Sequence, residues 1–567
     1  MSFQVSPGVQ VNEIDASGVI PAVSTSIGGF AGAFNWGPVE EVRTVGSETE
    51  LASIFGAPDD NTAKYFLTAA SFLKYGNALK VVRAATDGHK NATDGTAKLV
   101  KNEDHYDSLS HDGTFIARYP GVLGNAIEVQ VCPANSTAFT AFTSSTSGVL
   151  NFPASASFDG APGTSDSAAV GGHSNDELHI AIVDKTGAWT GTPNTVLETF
   201  AYVSQASDSY KADGTSNYYK EVINRTSRYV WWSGHASGLT DAGESFASQS
   251  SATAYVTGTA VITAAMAGGV DDNAPTHGEL GTAYDLLADA ETVDVNLLFA
   301  YPDANGTKNI ADKLISICNT RKDCMAFVSP PIEDSVGSAT PAADVKTWAD
   351  TLASTSYAST DSGAVYVYDK YNDVYRWLGA SGLCAGLCAN TDNVADAWFS
   401  PAGSTRGQLF GVTKLAYNPK KADRDMLYKA RVNPLVSFPG QGTMLFGDKT
   451  LLSKPSAFDR INVRRLFIVI EKAVSTAAKG QLFEFNDEFT RAQFRNLLEP
   501  FLRDVKGRRG VTDFRVVCDT TNNTGQVIDA NRFVADIFIK PSRSINFISL
   551  NFIATRTGVD FSEVAGS

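Results

Sequence analysis

Two stretches of this chain, 27–85 and 279–329, share one rhythm in which short apolar runs alternate with helical stretches. Parallel strands joined by crossover helices produce that rhythm, because a parallel pair cannot be closed by a tight turn. In the first stretch, Ile27-Gly-Gly-Phe-Ala-Gly-Ala-Phe34 reads as a buried strand and Asn35-Trp-Gly-Pro38 as a turn. Ser47 to Phe55 reads as a capped helix ended by Gly56, Ala63 to Tyr75 as a second helix, and Leu79 to Arg83 as a strand. In the second, Tyr284 to Asp289 reads as helix, Asp294 to Ala300 as strand, and Ile310 to Arg321 as helix. Cys324 to Ser329 is then a strand stopped by Pro330-Pro331. The pattern predicts an α/β fold with a partly parallel sheet, mixed α+β over the whole chain. At 567 residues the chain is multidomain.

Between those stretches, residues 90–275 are rich in Ser, Thr, Gly, Ala and Asp, with alternating runs such as Ile127–Val131 and Leu178–Val183. They read as one or two β-rich modules inserted into the first domain and facing water. Further on, Val365–Tyr368 and Val374–Trp377 predict a hairpin carrying an aromatic face. Ser456-Ala-Phe-Asp459 predicts the capped start of a helix reaching Ala478. A second helix is expected from Asp487 to Val505, where Phe494, Leu497, Leu498, Phe501, Leu502 and Val505 form one apolar stripe. Arg491, Arg495 and Lys506 flank the stripe, Arg508 and Arg509 follow it, and Pro500 falls on the opposite side, where it is expected to kink the helix. Two unattached strands are predicted at the ends. Val5, Val9 and Val11 share a face of the first, broken by Pro7-Gly8, and Ile548, Leu550 and Phe552 share a face of the second. The expected division is an arm over 1–22, a core domain from 23–90 plus 276–395, the insert over 91–275, a further α+β domain over 396–544, and an arm over 545–567.

The charge is uneven. Residues 401–567 hold 25 Lys and Arg against 16 Asp and Glu, whereas residues 1–400 hold 21 against 45. The acidic majority argues against direct nucleic-acid binding, and the basic last third predicts a surface that meets an acidic partner. All seven histidines precede residue 278. No G-x-S-x-G, H-E-x-x-H, C-x-x-C or EF-hand pattern occurs, so neither catalysis nor a cofactor is expected. The segment from Gly442 to Gly447-Asp-Lys449-Thr450 has one residue too many for a phosphate loop and reads as a hairpin loop with glycines at its turns. Cys318, Cys324, Cys384 and Cys388 lack the spacings of zinc ribbons and read as buried thiols. No apolar run approaches the ~18 residues of a membrane span. The N-terminus lacks the basic and apolar regions of a signal peptide, which predicts a soluble chain made and kept in the cytosol.

Three blocks together resemble the tail sheath proteins of contractile-tailed bacteriophages. The first runs from Pro7-Gly-Val-Gln-Val-Asn-Glu13 through Phe34-Asn-Trp-Gly-Pro-Val39 to Phe55-Gly56. The second runs from Leu286-Leu through Val295-Asn-Leu-Leu-Phe299 to Arg321-Lys-Asp-Cys324 and Pro330-Pro331. The third runs from Asn462-Val-Arg-Arg-Leu-Phe467 through Phe485 and the 487–505 helix to the final strands. The resemblance covers 1–90 and 280–567 and implies a structural protein rather than an enzyme. It implies six-subunit rings of this chain wound helically around an inner tail tube protein, with baseplate and tail terminator proteins at the ends. Such a sheath is assembled in the host cytoplasm, becomes part of the virion, and contracts without nucleotide to drive the tube through the host envelope. Carried onto this chain, the arms donate strands through Val5, Val9 and Val11 and through Ile548, Leu550 and Phe552. An outer βαβ domain bears the insert, and the inner domain faces the tube through Arg491, Arg495, Lys506, Arg508 and Arg509. The sheath of a phage-like bacteriocin or type VI secretion system shares these features. Two other readings come from different classes: an α/β hydrolase or nucleotide-dependent enzyme, and a glycan-binding adhesin.

Overall fold

A seven-stranded sheet holds the larger part of the molecule together. In the computed structural model its order is Val432–Asn433, Ala358–Asp361, Met325–Val328, Leu297–Phe299, Gly28–Gly32, Leu79–Arg83 and Val42–Val45. All neighbours are parallel except the last pair. The structure describes residues 24–146, 149–239, 241–249, 254–255 and 258–546. Val5, Val9, Val11, Ile548, Leu550 and Phe552 therefore lie outside the described residues. The chain forms two units, one of Ser24–Val394 with Pro401–Asp459 and one in which Ala395–Ser400 joins the chain from Arg460 onward.

The glycines of the central strand let helices lie directly on it. A Cβ on Gly28 would sit 2.7 Å from the Phe72 ring, and one on Gly29 would sit 2.6 Å from Leu298. On the Gly28 side, Phe72 of the Ala63–Leu73 helix stacks on Phe299 at 5.3 Å, and Phe30 meets the same ring at 5.3 Å. On the other side, Tyr284 of the His277–Asp285 helix donates to the Ala31 and Phe299 carbonyls. Helices thus cover both faces, which explains why these strands are continuous apolar runs rather than alternating ones.

The insert occupies the connection between Leu79–Arg83 and Leu297–Phe299, the strands that border Gly28–Gly32 on either side. It carries an antiparallel sheet in the order Ile262–Ala265, Ile127–Pro133, Glu177–Asp184 and Thr195–Ser204. Ile127, Val129 and Val131 pack to one side with Leu178, Ile180 and Ile182, while Cys132, Ala181 and Val183 pack to the other. The insert is seated by the Asn35-Trp-Gly-Pro38 turn. Trp36 meets Tyr119 and Trp189 edge-on at 5.4 and 4.8 Å. Arg83 is fully buried and donates to the Gly37 carbonyl at 2.9 Å and the Pro120 carbonyl at 2.8 Å. Burial pulls its pKa down to about 9, which still leaves it cationic at neutral pH.

The aromatic hairpin forms as Val365–Asp369 against Val374–Leu378, extended by Val412–Leu415. The Gly442 region is a hairpin strand, Gly442–Leu445, paired with Leu435–Phe438. All six cysteines are buried. Among the described residues no cluster of His, Cys, Asp and Glu could hold a metal ion, and no helix is long and apolar enough to cross a membrane.

Three expectations need correcting. The helix expected at Tyr284–Asp289 is His277–Asp285, started by a reciprocal cap between Thr276 and Glu279. Ser456–Asp459 does not cap a helix; Ala457–Asp459 is a single 3₁₀ turn, and the long helix starts at Ile461 after an Arg460 with no side-chain cap. Residues 401–459 belong to the larger unit, because Val432–Asn433 pairs with Ala358–Asp361 at the sheet edge.

Asp361 ends the Ala358–Asp361 strand and is fully buried, accepting from Ser329 Oγ at 2.5 Å and the Gly363 amide at 2.9 Å. Burial outweighs these bonds and raises its pKa to about 7. Its folded value lies above the unfolded one, so the folded state binds the extra proton. The stability it contributes is complete below the unfolded pKa and is lost as pH rises from about 4 to about 7. Asp361→Asn should flatten that decline, leaving the variant more stable than wild type above pH 7 by an amount on the order of 1–3 kcal/mol. Thermal unfolding between pH 4 and 8 checks this; parallel pH profiles for the two proteins would contradict it.

Candidate assembly surface

The smaller unit is built on two helices, Ile461–Lys479 and Glu488–Gly507. Leu466, Ile470 and Ala473 from the first meet Phe494, Leu498, Leu502 and Val505 from the second. Leu497 and Phe501 pack beside them, so the apolar stripe read from the sequence is the contact face. The second helix runs unbroken through Pro500, whose ring lies exposed on the far side. Asp487 caps its start by accepting from the Thr490 amide at 2.8 Å, a bond that holds its carboxyl below the usual carboxylate range. Four of the five basic residues singled out from the sequence are in the last turns of this helix or just beyond, or on its middle flank; Arg491 is in the first turn.

Against these helices lies an antiparallel pair, Val511–Val517 with Asp536–Pro541. Phe514, Val516, Ile537 and Ile539 turn toward the helices. Thr512, Asp513, Arg515, Asp536, Phe538 and Lys540 turn outward to solvent. Among the described residues no third strand pairs with either, so both outer edges are open. An isolated two-stranded pair is marginal in water, and a bare edge is a template for another chain. The loop joining the strands is tied down by polar groups: Asn523 donates to the Val534 carbonyl at 2.7 Å and accepts its amide at 2.9 Å. Asn486 donates to Asn523 and to the Arg532 carbonyl, which fixes the loop to the start of the second helix.

The structure separates the five basic residues. Arg491 is buried and donates to Asn486 Oδ1 at 2.8 Å, so it belongs to the polar hub and not to an outward surface. Lys506 is exposed and pairs with Asp513 at 3.0 Å. Arg508 pairs with Asp396 and with Asp504, and its guanidinium lies 5.2 Å from the Trp398 ring centre. Trp398 in turn donates from its indole nitrogen to the Arg508 carbonyl at 3.0 Å. Arg509 is exposed at a left-handed φ of 67°, ending the helix. Arg495 is half-buried, and among the described residues neither it nor Arg509 has an ion-pair partner. Cations at 506–509 also complement the negative end of the helix dipole.

Sequence reasoning missed two features. One is the partnership of Asp396 and Trp398 with Arg508, which spans more than a hundred residues of chain. The other is the exposed run of Leu482, Phe483, Phe485 and Phe489, where two of the phenylalanines remain 84% and 76% exposed (Phe485 and Phe489). Its signal was in the sequence: these phenylalanines fall outside the helical stripe and cannot join its core.

The two-helix face supports a pair of strands that has no third strand among the described residues, and comparison with known proteins shows the family. The chain is 34% identical to the tail sheath protein of Enterobacteria phage T4, covering 99% of each, and 34% identical to that of Vibrio phage KVP40, covering 99% of this chain and 100% of that one. The chain belongs to the phage tail sheath protein family. The phage tail sheath C-terminal domain family matches residues 453–555, the central domain family matches 280–451, and the tail sheath protein Gp18 domain III N-terminal region matches 25–84. These three frame the insert, yet the phage sheath relatives align across it. A sheath tail protein from Listeria innocua shares the fold at a TM-score of 0.53 and 12% identity, covering 93% of this chain and 97% of its own. The contracted helical sheath of the anti-feeding prophage does so at 0.52 and 13%, covering 98% and 100%. The protein is a structural component of a contractile tail sheath.

Proposed function

We propose that copies of this sheath protein polymerise helically, in stacked six-subunit rings around an inner tail tube, and that their contraction drives the tube through the host envelope. The open-edged pair Val511–Val517 and Asp536–Pro541 carries this reading. Each bare edge suits a strand from a neighbour, and the terminal segments bearing Val5, Val9 and Val11 and Ile548, Leu550 and Phe552 have strand patterns and are the donors. Main-chain hydrogen bonds of roughly 0.5–1.5 kcal/mol each tie neighbours together without fixing how their bodies pack. A tether of that kind survives while subunit bodies rotate and slide. Contacts that are heterologous and do not close give an open helix.

The tube protein is met by Arg495, Lys506, Arg508 and Arg509 through a complementary acidic surface. Exposed pairs of about 0.2–1 kcal/mol each suit a contact that must be released during contraction. Baseplate and terminator proteins cap the polymer, and assembly takes place in the host cytoplasm before the sheath joins the virion. The insert, outside the three matched family regions, decorates the outer surface.

Electron microscopy of the full chain beside one lacking residues 1–12 and 546–567 tests the arms. Hollow striated tubes are expected from the first and monomers from the second; compact closed oligomers from both would contradict the reading. The tube-facing assignment is tested by Arg495→Glu with Arg509→Glu, which leaves the pairs of Lys506 and Arg508 intact. The double variant should unfold at the wild-type temperature and still polymerise alone, yet bind tail tubes about tenfold more weakly. Unchanged tube binding would remove the assignment.

A further inference from the structure

Two surfaces of the molecule are more aromatic than an isolated subunit should leave in water; one carries glutamates, and the other carries Lys414 at one end and Asp373, which accepts from the Tyr368 hydroxyl at 2.7 Å, at the other. The first is the Leu482–Phe489 stretch, with Phe483, Phe485 and Phe489 exposed beside Glu484 and Glu488. Neither glutamate has an ion-pair partner among the described residues. Clusters of exposed large apolar side chains mark interaction sites.

The second is the outer face of the Val365–Asp369, Val374–Leu378 and Val412–Leu415 sheet. Tyr366 pairs across the strands with Trp377 at 4.5 Å, and Tyr368 pairs with Tyr375 at 5.1 Å. Tyr366 also stacks on Tyr375 at 5.4 Å, which joins the four rings into one surface. Lys414 stands over it, 4.6 Å from the Tyr366 ring centre, and makes no ion pair among the described residues. Tyr368 and Tyr375 are about half exposed. On the inward face of the same sheet Arg376 binds buried Asp369 at 2.8 Å, and Val365, Val367 and Leu378 are buried. The rings are therefore not needed to hold the hairpin to the body.

We infer that the Phe483, Phe485 and Phe489 ridge of one copy docks on the Tyr366, Tyr368, Tyr375 and Trp377 face of a second copy of this chain. The inference rests on the proposed homopolymer and names one of its body-to-body contacts, separate from the terminal strands. Charge complementarity selects the occupant: an acidic apolar ridge meets an aromatic face carrying an unpaired lysine, with Glu484 opposite Lys414. Two different patches on identical copies form a heterologous contact, the type that propagates instead of closing. Aromatic anchors in such a contact supply much of its binding energy, edge-to-face ring pairs being favoured.

Cross-linking tests it directly, because all six native cysteines are buried. Phe485→Cys copies mixed with Tyr375→Cys copies, polymerised and oxidised, should give a disulfide-linked dimer on a non-reducing gel; either variant alone should not. Glu484→Lys should raise the concentration for half-maximal polymerisation about tenfold, and adding Lys414→Glu should restore it to within about threefold. Each variant's monomer should unfold at the wild-type temperature. Polymers that form without the cross-link overturn this contact alone. A bond formed within single copies carrying both cysteines at high dilution makes the contact intramolecular and overturns it too. So does a Glu484→Lys defect confined to tube binding and unrelieved by Lys414→Glu, which would place the ridge on the tube. Absence of wild-type polymers would overturn the homopolymer reading along with it.

Discussion

Among the described residues, a pair of strands with one face on two helices has no third strand along either edge, and such a pair is unfinished in water. Its outward side chains, Thr512, Asp513, Arg515 and Lys540 among them, are polar enough to keep the unit dissolved, and its inward ones complete the helix core. Yet the main-chain groups along both edges find no third strand among the described residues. That deficit is what the proposed neighbouring strands would fill. The larger unit differs. Its sheet ends in a two-residue strand on one side and a short antiparallel strand on the other, which blunts both edges.

The buried polar groups show where each unit is rigid. Arg83 fastens the insert through two backbone carbonyls, and the Asn486–Asn523 hub fastens the loop beneath the open strands. Each satisfies main-chain groups that would otherwise be stranded away from water, so removing one member leaves the others uncompensated. Arg508 does something similar at the other end of its helix, where Asp396, Asp504 and Trp398 hold it. A cation held this way presents charge in a fixed position, and the conformational cost of fixing it has already been met within the subunit.

Much of this was legible from the residues. The stripe from Phe494 to Val505 falls on the helical period, and its burial follows. The apolar runs at 28–32, 79–83, 297–299 and 325–328 announced a partly parallel sheet. The misses have physical causes. Ser456–Asp459 has the letters of a helix cap, but its turn closes on itself before the helix begins. The edge strand Val432–Asn433 is too short for any periodicity, and pairings with distant strands, Val432–Asn433 with Ala358–Asp361 and Val412–Leu415 with Val365–Asp369, assign 401–459 to the larger unit. The charge of Arg491 could be read, but its direction is set by Asn486, a polar contact no pattern of hydrophobicity encodes.

If neighbouring copies fill the edges of the smaller unit's strand pair, hydrogen exchange at 511–517 and 536–541, compared between monomer and polymer, reports it directly. Outward-facing amides of both strands should exchange freely in the monomer and become strongly protected in the polymer. Rapid exchange along both edges in well-formed polymers would contradict it.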